Sequence, residues 1–261
     1  MKVVLFCGGL GTRLREHSNT IPKPLVTIGP RPILWHLMRH YAHFGHKEFV
    51  LCLGYGGDLI REYFLNYNQY LTGDITVGPG DQRVGDADSD IRDWQITMVD
   101  TGLHANLGER LLAVRRYVEA DEVFLANYSD QLSDLNLSEY HSAFLASGAL
   151  AGFLSVRPSQ SYHYVDASPS GIVKSLQSAT MADHWINGGF FACRRSIFDY
   201  VQAGEELVEA PFARLAAKQL LWTSRYEGFW QAMDTYKDKI KLDRMWGQRE
   251  TPWQAWDAPA L

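Results

Sequence analysis

The sequence has little of what a disulfide-bonded or membrane-spanning protein needs. It contains three cysteines, Cys7, Cys52 and Cys193, each within an apolar run and none in a CxxC or CxxH spacing. We therefore predict buried, reduced, structural thiols and no zinc site. No apolar run approaches the roughly 18 residues that span a bilayer. The short apolar run at the start is followed at once by glycines, unlike a secretory signal, so a cytoplasmic location is expected.

Positive charge is not in excess either. The 261 residues carry a formal net charge of -5. Nucleic acids and membrane surfaces require clustered Lys and Arg, so neither is expected as a partner. An anionic ligand would instead need a local positive site. The length fits a single α/β domain, residues 1–261, with residues 159–185 as a small β subdomain for substrate within it.

Strand-like and helix-like segments alternate along the chain. This pattern predicts a Rossmann-like α/β fold, with a mixed, mostly parallel sheet and helices on both faces. Strands are predicted at residues 3–7, 48–53, 94–99, 122–126, 149–156 and 186–193, and helices at 32–43, 57–67, 109–118, 138–146, 196–201, 212–220 and in TYKDKIKLDRMW. Two further segments have turn-rich composition: residues 78–93 predict a loop or hairpin tip able to act as a lid, and residues 159–176 a small antiparallel unit.

A glycine-rich turn, CGGLGTRL, follows the first predicted strand. It lacks the third glycine of the dinucleotide-binding fingerprint and the Gly-Lys-Ser/Thr of a Walker A loop. Glycines let backbone N–H groups approach phosphate oxygens, and the guanidinium of Arg13 can bind such oxygens with its planar fork. Lys23 follows between two prolines, which restrict the backbone around it. Together these features predict a phosphate site; the alternative is a simple turn followed by an exposed loop.

The order of motifs along the chain resembles that of the sugar-1-phosphate nucleotidylyltransferases, and most of all the glucose-1-phosphate cytidylyltransferases. The motifs are GGLGTRL with PKP, KPLVTIGPRPILWHLM, LGYGGDLIREYFLNY, VDTG, INGGFF, GFWQAMDTYKD and PWQAW. The resemblance implies nucleotide binding by Gly8, Gly9, Gly11 and Thr12, and catalytic roles for Arg13 and Lys23. It also implies Mg²⁺ as cofactor and self-association into a homo-oligomer.

The reaction that the resemblance implies joins a nucleoside triphosphate, with CTP expected, to a sugar 1-phosphate such as glucose 1-phosphate. The products are a nucleotide sugar and pyrophosphate. Because a phosphate monoester is already anionic at pH 7, catalysis reduces to alignment and charge neutralisation. Arg13 would hold the departing β and γ phosphates, and Lys23 would neutralise charge around the α phosphate.

Two aspartates are implied as Mg²⁺ ligands. Asp130 lies in FLANYSDQLSDL, which resembles the family's Y-G-D-G element with Ser129 and Gln131 in place of both glycines, and Asp234 lies in WQAMDT. The end of a buried strand is where open α/β sheets bind ligands, and carboxylates suit a hard cation shared with phosphates. The alternatives are a turn cap for Asp130 and the N-cap of the last helix for Asp234. Asp134 is expected to cap the helix that follows it.

Other site candidates have weaker patterns. Arg110 in NLGERL matches an arginine implicated in base recognition, and its alternative is a solvated position on a helix surface. Asn187 and Gly188 in INGGFF are implied to bind substrate. The rings of Trp185 and Tyr128 are candidates for the sugar pocket, with the core as the alternative.

One element of the family is missing. Where relatives have E-K-P before the N-G-G-F strand, this chain has Ser178, Ala179 and Thr180, so the lysine that holds the acceptor phosphate is absent. Such a loss should weaken acceptor binding by roughly 1.5 to 3 kcal/mol unless another group replaces it. Nearby substitutes are Lys174, His163, His184 and Arg157. Three hypotheses remain: a cytidylyltransferase with a substitute residue, a nucleotidylyltransferase for a different phosphorylated acceptor, and a non-catalytic nucleotide-binding regulatory homologue.

Overall fold

The computed structural model describes residues 1–9, 11, 21–67, 76–77, 83–84, 90–158, 162–179 and 183–257. Its strands are β1 (Lys2–Phe6), β2 (Thr27–Ile28), β3 (Arg31–Pro32), β4 (Glu48–Leu53), β5 (Thr76–Val77), β6 (Arg83–Val84), β7 (Gln95–Asp100), β8 (Val123–Tyr128), β9 (Gln131–Ser133), β10 (Ala151–Val156), β11 (His163–Ala167), β12 (Val173–Ser178), β13 (Ile186–Asn187), β14 (Phe191–Arg194), β15 (Leu221–Tyr226) and β16 (Trp230–Ala232). Its α-helices are α1 (Ile33–His43), α2 (Gly57–Leu65), α3 (Leu107–Ala113), α4 (Arg115–Val118), α5 (Leu137–Ser147), α6 (Ala210–Ala217) and α7 (Tyr236–Gln248). Short 3₁₀ turns lie at Lys23–Leu25, Arg195–Asp199 and Ala255–Asp257.

An eight-stranded mixed sheet forms the centre of the molecule. β1 pairs in parallel with β4 on one side and with β8 on the other, and β7 extends the parallel half beyond β4. β14 pairs antiparallel with β8, and β10 pairs antiparallel with both β13 and β14. β15 closes the far edge in parallel with β10. The predicted α/β fold with a mixed, mostly parallel core is therefore confirmed.

The central strand β1 is buried on both faces, as its continuous apolar run predicts. Val3 and Leu5 pack into one apolar cluster with helix α1, whereas Val4 and Phe6 pack into a second cluster with helices α3 and α6. Successive side chains of a strand point to opposite faces, so one pentapeptide takes part in both cores. This burial fixes the position of β1, whose carboxyl end leads into the site.

The predicted strand at residues 186–193 is broken into two strands. The backbone turns at Gly189, whose φ is +71°, and at Phe190, whose φ is +50°. A Cβ on Gly189 would lie 2.2 Å from Gln131 Oε1, so only glycine fits there. Asn187 Oδ1 accepts a 2.9 Å hydrogen bond from the Gly189 N–H and stabilises the turn. An apolar run predicts a strand but does not show this close approach.

Two other sequence predictions of secondary structure need correction. The helix expected at residues 109–118 is two helices, α3 and α4, and it begins earlier because Asn106 forms a capping box with Glu109. Strand β15 was not predicted. Its residues LWTSRY alternate weakly in burial, and the strand is set mainly by pairing with β10.

The turn-rich segments are only partly within the described residues. β11 and β12 form an antiparallel hairpin across the predicted turn, and β5 pairs with β6. Residues 78–82, 85–89, 159–161 and 180–182 lie outside the described residues. The lid role of residues 78–93, the substrate role of residues 159–185 and the single-domain organisation stay predictions.

Two predictions about what the chain lacks can be compared with the structure. Cys7, Cys52 and Cys193 are buried and free, in agreement with the sequence. In the part of the chain that the structure describes, no helix is long and apolar enough to cross a membrane.

Candidate active site

A cleft of about 440 Å³ opens at the carboxyl ends of β1 and β8. In open α/β sheets this edge is the usual ligand position, because loops diverge there and leave a crevice. Residues from five separate parts of the chain line it: Phe6, Gly9, Gly11, Lys23, Pro24, Tyr128, Ser129, Asp130, Gln131, Asn187 and Asp234.

Three charged side chains meet at one wall of this cleft. Lys23 Nζ lies 2.5 Å from Asp130 Oδ2 and 2.7 Å from Asp234 Oδ1. The lysine side chain is 14% exposed and the two carboxylates are 20% and 31% exposed. Burial alone would lower the pKa of Lys23, but the two carboxylates outweigh it and the net shift is upward. Lys23 is therefore a fixed positive charge at neutral pH.

A short β-ribbon explains why aspartates so distant in sequence converge. β9 pairs antiparallel with β16, with Gln131 opposite Ala232. The Asp130 carbonyl accepts a 2.9 Å hydrogen bond from the Met233 N–H, one residue before Asp234. The two carboxylates thus lie at the same end of one ribbon.

The capping alternative for Asp234 and the capping prediction for Asp134 are both wrong. The N-cap of α7 is Thr235, which forms a capping box with Asp238, so Asp234 is not the N-cap. The N-cap of α5 is Asn136, whereas Asp134 accepts a hydrogen bond from the Tyr226 hydroxyl.

The donor set at this wall fits a magnesium ion. Oxygens of Asp130 and Asp234 both lie within 2.7 Å of one point, where the Lys23 nitrogen now is. Among the described residues no group of three or more His, Cys, Asp or Glu side chains converges. Two carboxylates suit Mg²⁺, which keeps its remaining positions for water and substrate phosphates.

The glycine turn is held in place by Arg110. This arginine is 4% exposed, so the helix-surface alternative is wrong. Its Nη2 donates to the Gly8 carbonyl at 3.1 Å and to the Leu103 carbonyl at 3.5 Å. Its Nη1 donates to the Leu53 carbonyl at 3.2 Å and to the Thr101 hydroxyl at 2.7 Å.

Gly8 and Arg110 fit each other closely. A Cβ on Gly8 would lie 2.0 Å from the guanidinium of Arg110, so a side chain at residue 8 would displace it. Gly9 and Gly11 line the cleft, and Gly11 has a φ of +58°. Thr12 and Arg13 lie outside the described residues. The nucleotide-binding and catalytic roles of this turn stay predictions.

We expect Arg110→Met to destabilise the fold by about 3 kcal/mol, because it leaves buried carbonyls of Gly8 and Leu53 without donors. Urea unfolding measures the change. The matched control is Arg115→Met, which removes an exposed ion pair with Glu119 and should change stability by less than about 1 kcal/mol. An Arg110 variant with wild-type stability and altered base preference would instead indicate direct contact with the nucleotide base.

Part of the cleft is lined by residues implied to bind the acceptor. Asn187 Nδ2 lies 3.3 Å from the Tyr128 hydroxyl, and both residues line the cleft. Gly188 faces away: its N–H donates to the Leu154 carbonyl at 2.7 Å, and its carbonyl accepts from Trp230 Nε1 at 2.9 Å. Through these two hydrogen bonds Gly188 holds the backbone next to Asn187 in position.

Two buried oxygens beside the cleft escaped the sequence analysis. Gln131 Oε1 and Asn127 Oδ1 are inaccessible to solvent and have no hydrogen-bond partner within the described residues. Both lie next to Gly189, where the broken strand turns. Gln131 lines the cleft at the position where the family has a glycine. The glutamine in place of that glycine could have pointed to this part of the cleft, but a sequence does not show where a glutamine side chain points.

Comparison with known proteins identifies the class. Residues 2–221 match the family model described as nucleotidyl transferase, and the chain belongs to that family. It is 38% identical over 259 residues to the glucose-1-phosphate cytidylyltransferase of Salmonella typhi, an alignment that covers 98% of this chain and 100% of that protein. It is 24% identical over 250 residues to the mannose-1-phosphate guanyltransferase of Yarrowia lipolytica, covering 91% and 62% respectively. The predicted resemblance and the prediction of a nucleotidyltransferase are confirmed.

Solved structures agree on the fold. A UDP-glucose pyrophosphorylase complexed with UDP-glucose superposes with a TM-score of 0.67 at 13% identity, covering 95% of this chain and 98% of that one. At this identity the similarity supports the architecture of the sheet and helices.

Proposed function

We propose that this protein transfers a cytidylyl group from CTP to a sugar 1-phosphate, with glucose 1-phosphate as the first candidate, and releases pyrophosphate. The observation that carries the proposal is the convergence of Lys23, Asp130 and Asp234 at one wall of the cleft. The 38% identity to a glucose-1-phosphate cytidylyltransferase over nearly the whole chain supports the choice of substrates.

The proposed reaction is an in-line displacement. An oxygen of the sugar phosphate attacks the α phosphorus of CTP, the bond from that phosphorus to the bridging oxygen breaks, and pyrophosphate leaves. The attacking oxygen is already ionised, so the protein needs no base. Its task is to align two polyanions and to neutralise the charge that develops between them.

Each residue at the cleft has a share in this task. Glycine N–H groups of the turn after β1 bind phosphate oxygens, together with Arg13. Lys23 places its ammonium against the α phosphate. Asp130 and Asp234 hold Mg²⁺, which when bound neutralises phosphate charge. Tyr128 and Asn187 position the acceptor.

The structure favours catalysis over a purely regulatory role. A protein that only bound a nucleotide would not need two partly buried carboxylates facing one ammonium, since each buried charge costs desolvation energy. We also infer a cytoplasmic location, as the sequence analysis predicts. The self-association implied by the resemblance stays a prediction.

The test is pyrophosphate release from purified protein with Mg²⁺, each of the four ribonucleoside triphosphates and a panel of sugar 1-phosphates. We expect release with CTP and glucose 1-phosphate, and slower release when either partner is exchanged. If release occurred with a triphosphate other than CTP and not with CTP, the proposed base would be wrong. If no pair of triphosphate and sugar 1-phosphate gave release, the proposal would be refuted.

A further inference from the structure

The acceptor end of this site lacks the lysine that the resemblance leads one to expect. Ser178 and Ala179 occupy its place, and Ala179 is fully buried with its N–H bonded to the Tyr162 carbonyl at 2.9 Å. A polyanionic acceptor still has to be held against the charge of CTP. A positive group from another part of the fold is therefore needed.

Two guanidinium groups flank one aromatic ring near this end. The Cζ of Arg157 lies 4.7 Å from the centre of the Trp185 ring, and the Cζ of Arg225 lies 5.4 Å from it. Both distances are within the range of cation–π attraction. We call these three residues the arginine–tryptophan cluster. The ring restrains both long side chains, so less conformational freedom remains to be lost when they bind a ligand.

Strand register places this cluster on the same face of the sheet as Asn187. Ser155 of β10 is opposite Asn187 on one side and opposite Arg225 on the other. Arg157 directly follows β10 and Trp185 directly precedes β13, so each is two positions from the Ser155–Asn187 pair. Alternate side chains share a face, and two residues span about 6.6 Å. The cluster is therefore a neighbour of Asn187, which lines the cleft.

Arg225 contributes an exposed positive charge to the cluster. No carboxylate of the described residues forms an ion pair with Arg225, which is exposed. The pair between Arg157 and Asp183 is long, at 3.5 Å, and the carboxylate is 88% exposed. Such a solvated pair contributes little and is easily exchanged for an oxyanion of a ligand.

We propose that Arg157, Trp185 and Arg225 form the anion-binding end of the acceptor site and replace the missing lysine. A guanidinium binds an oxyanion through two parallel N–H donors. The oxyanion is either the phosphate of the sugar 1-phosphate or a carboxylate at the other end of the sugar. This assignment rests on the proposed function, since it names residues of the same site.

The test uses Arg157→Gln, Arg225→Gln and the double variant, with acceptor KM measured at saturating CTP. The two acceptors are glucose 1-phosphate and glucuronic acid 1-phosphate, which differ in one carboxylate. We expect acceptor KM to rise about tenfold or more in the double variant, because a charge-assisted contact is lost. KM for CTP should stay unchanged, which a general loss of structure would not produce. A rise for both acceptors assigns the phosphate, and a rise for the acidic acceptor alone assigns the carboxylate.

A matched control is Arg116→Gln. Arg116 is exposed, its guanidinium lies 4.8 Å from the Tyr117 ring on α4, and it is far in sequence from the acceptor site. This variant should leave acceptor KM unchanged. Trp185→Phe, which keeps an aromatic face, should retain more affinity than Trp185→Ala.

An unchanged acceptor KM in the double variant, for both acceptors, would overturn the assignment while leaving the proposed function intact. Absence of pyrophosphate release from the wild-type protein would refute the proposed function separately. In that event calorimetric titration with the same two acceptors decides the assignment, since weaker binding by the double variant supports it and equal binding rejects it.

Discussion

Lys23→Ala is expected to lower kcat/KM for cytidylyl transfer by about 10³-fold, or about 4 kcal/mol of transition-state stabilisation. The ammonium is partly buried, charged and held at the cleft wall by two carboxylates, so it lies close to where charge develops on the phosphates. Water that enters the space of the missing side chain would supply a weaker and less ordered dipole. Initial rates of pyrophosphate release, measured over a range of CTP and acceptor concentrations that extends below KM, give the loss in kcat/KM.

The same variant is expected to lose activity but to gain affinity for a divalent metal ion. In the metal-free protein the Lys23 ammonium neutralises Asp130 and Asp234, so a divalent cation has to displace it. Removing the ammonium leaves two carboxylates facing one space, which should bind Mg²⁺ or Mn²⁺ more tightly in the absence of nucleotide. Calorimetric titration of the metal into both proteins measures this. Equal affinity would show that the lysine does not compete with the metal.

The control for Lys23→Ala is Lys47→Ala. Lys47 also pairs with an aspartate, Asp93, but both side chains are about half exposed and lie outside the cleft lining. Its removal should change turnover less than twofold. Lys23→Gln covers the case in which the alanine variant folds poorly, because glutamine fills more of the space without the charge. Near-normal turnover in a folded Lys23→Gln protein would exclude Lys23 from the mechanism.

Asp130→Asn is expected to lower kcat by about 10³-fold and to raise the Mg²⁺ concentration needed for half-maximal rate. The amide keeps the shape of the carboxylate and still accepts a hydrogen bond from Lys23, so the fold should be retained. It lacks the charge that holds a hard cation, and one of only two candidate protein ligands is lost. The measurement is the rate as a function of Mg²⁺ concentration, with complete loss of rate in excess EDTA for the wild type.

The control for this change is Asp243→Asn. Asp243 is likewise paired with a lysine, Lys239, but on the outer part of α7. It should not alter the Mg²⁺ dependence. If Asp130→Asn needed no more Mg²⁺ than the wild type, the metal would have to be held elsewhere and the assignment of Asp130 would fail.

Much of the fold could be predicted because its signals are local. The buried strand β1, helix α1 and the glycine turn are encoded by runs and spacings within about ten residues. The strand of residues 221–226 was missed because it has only weak alternation and depends on pairing with β10. The break at Gly189 was missed because its cause, the approach of Gln131, lies 58 residues earlier in the chain.

The residues of the candidate site also differ in whether local sequence patterns could predict them. Local motifs identified Lys23, Asp130 and Asp234, and the absent lysine at residues 178–180 marked the acceptor end as different. The environments of other residues could not be read locally. Arg110 was expected on a helix surface or at the base, and it is buried against the turn. Arg225 lies in none of the motifs, and only its position beside the Trp185 ring in the structure makes it a candidate for the acceptor site.

The sequence by itself determined the class of protein, the glycine-rich turn after β1 and the identity of the charged residues, because residue type and short-range spacing specify chemistry. Only the tertiary structure decided which charges meet. Lys23 and Asp130 are 107 residues apart in sequence, and Lys23 and Asp234 are 211 apart. Their distance depends on the register of β9 with β16 and on the burial of β1 against β8. Such pairings follow from packing of the whole chain, and no local window contains them.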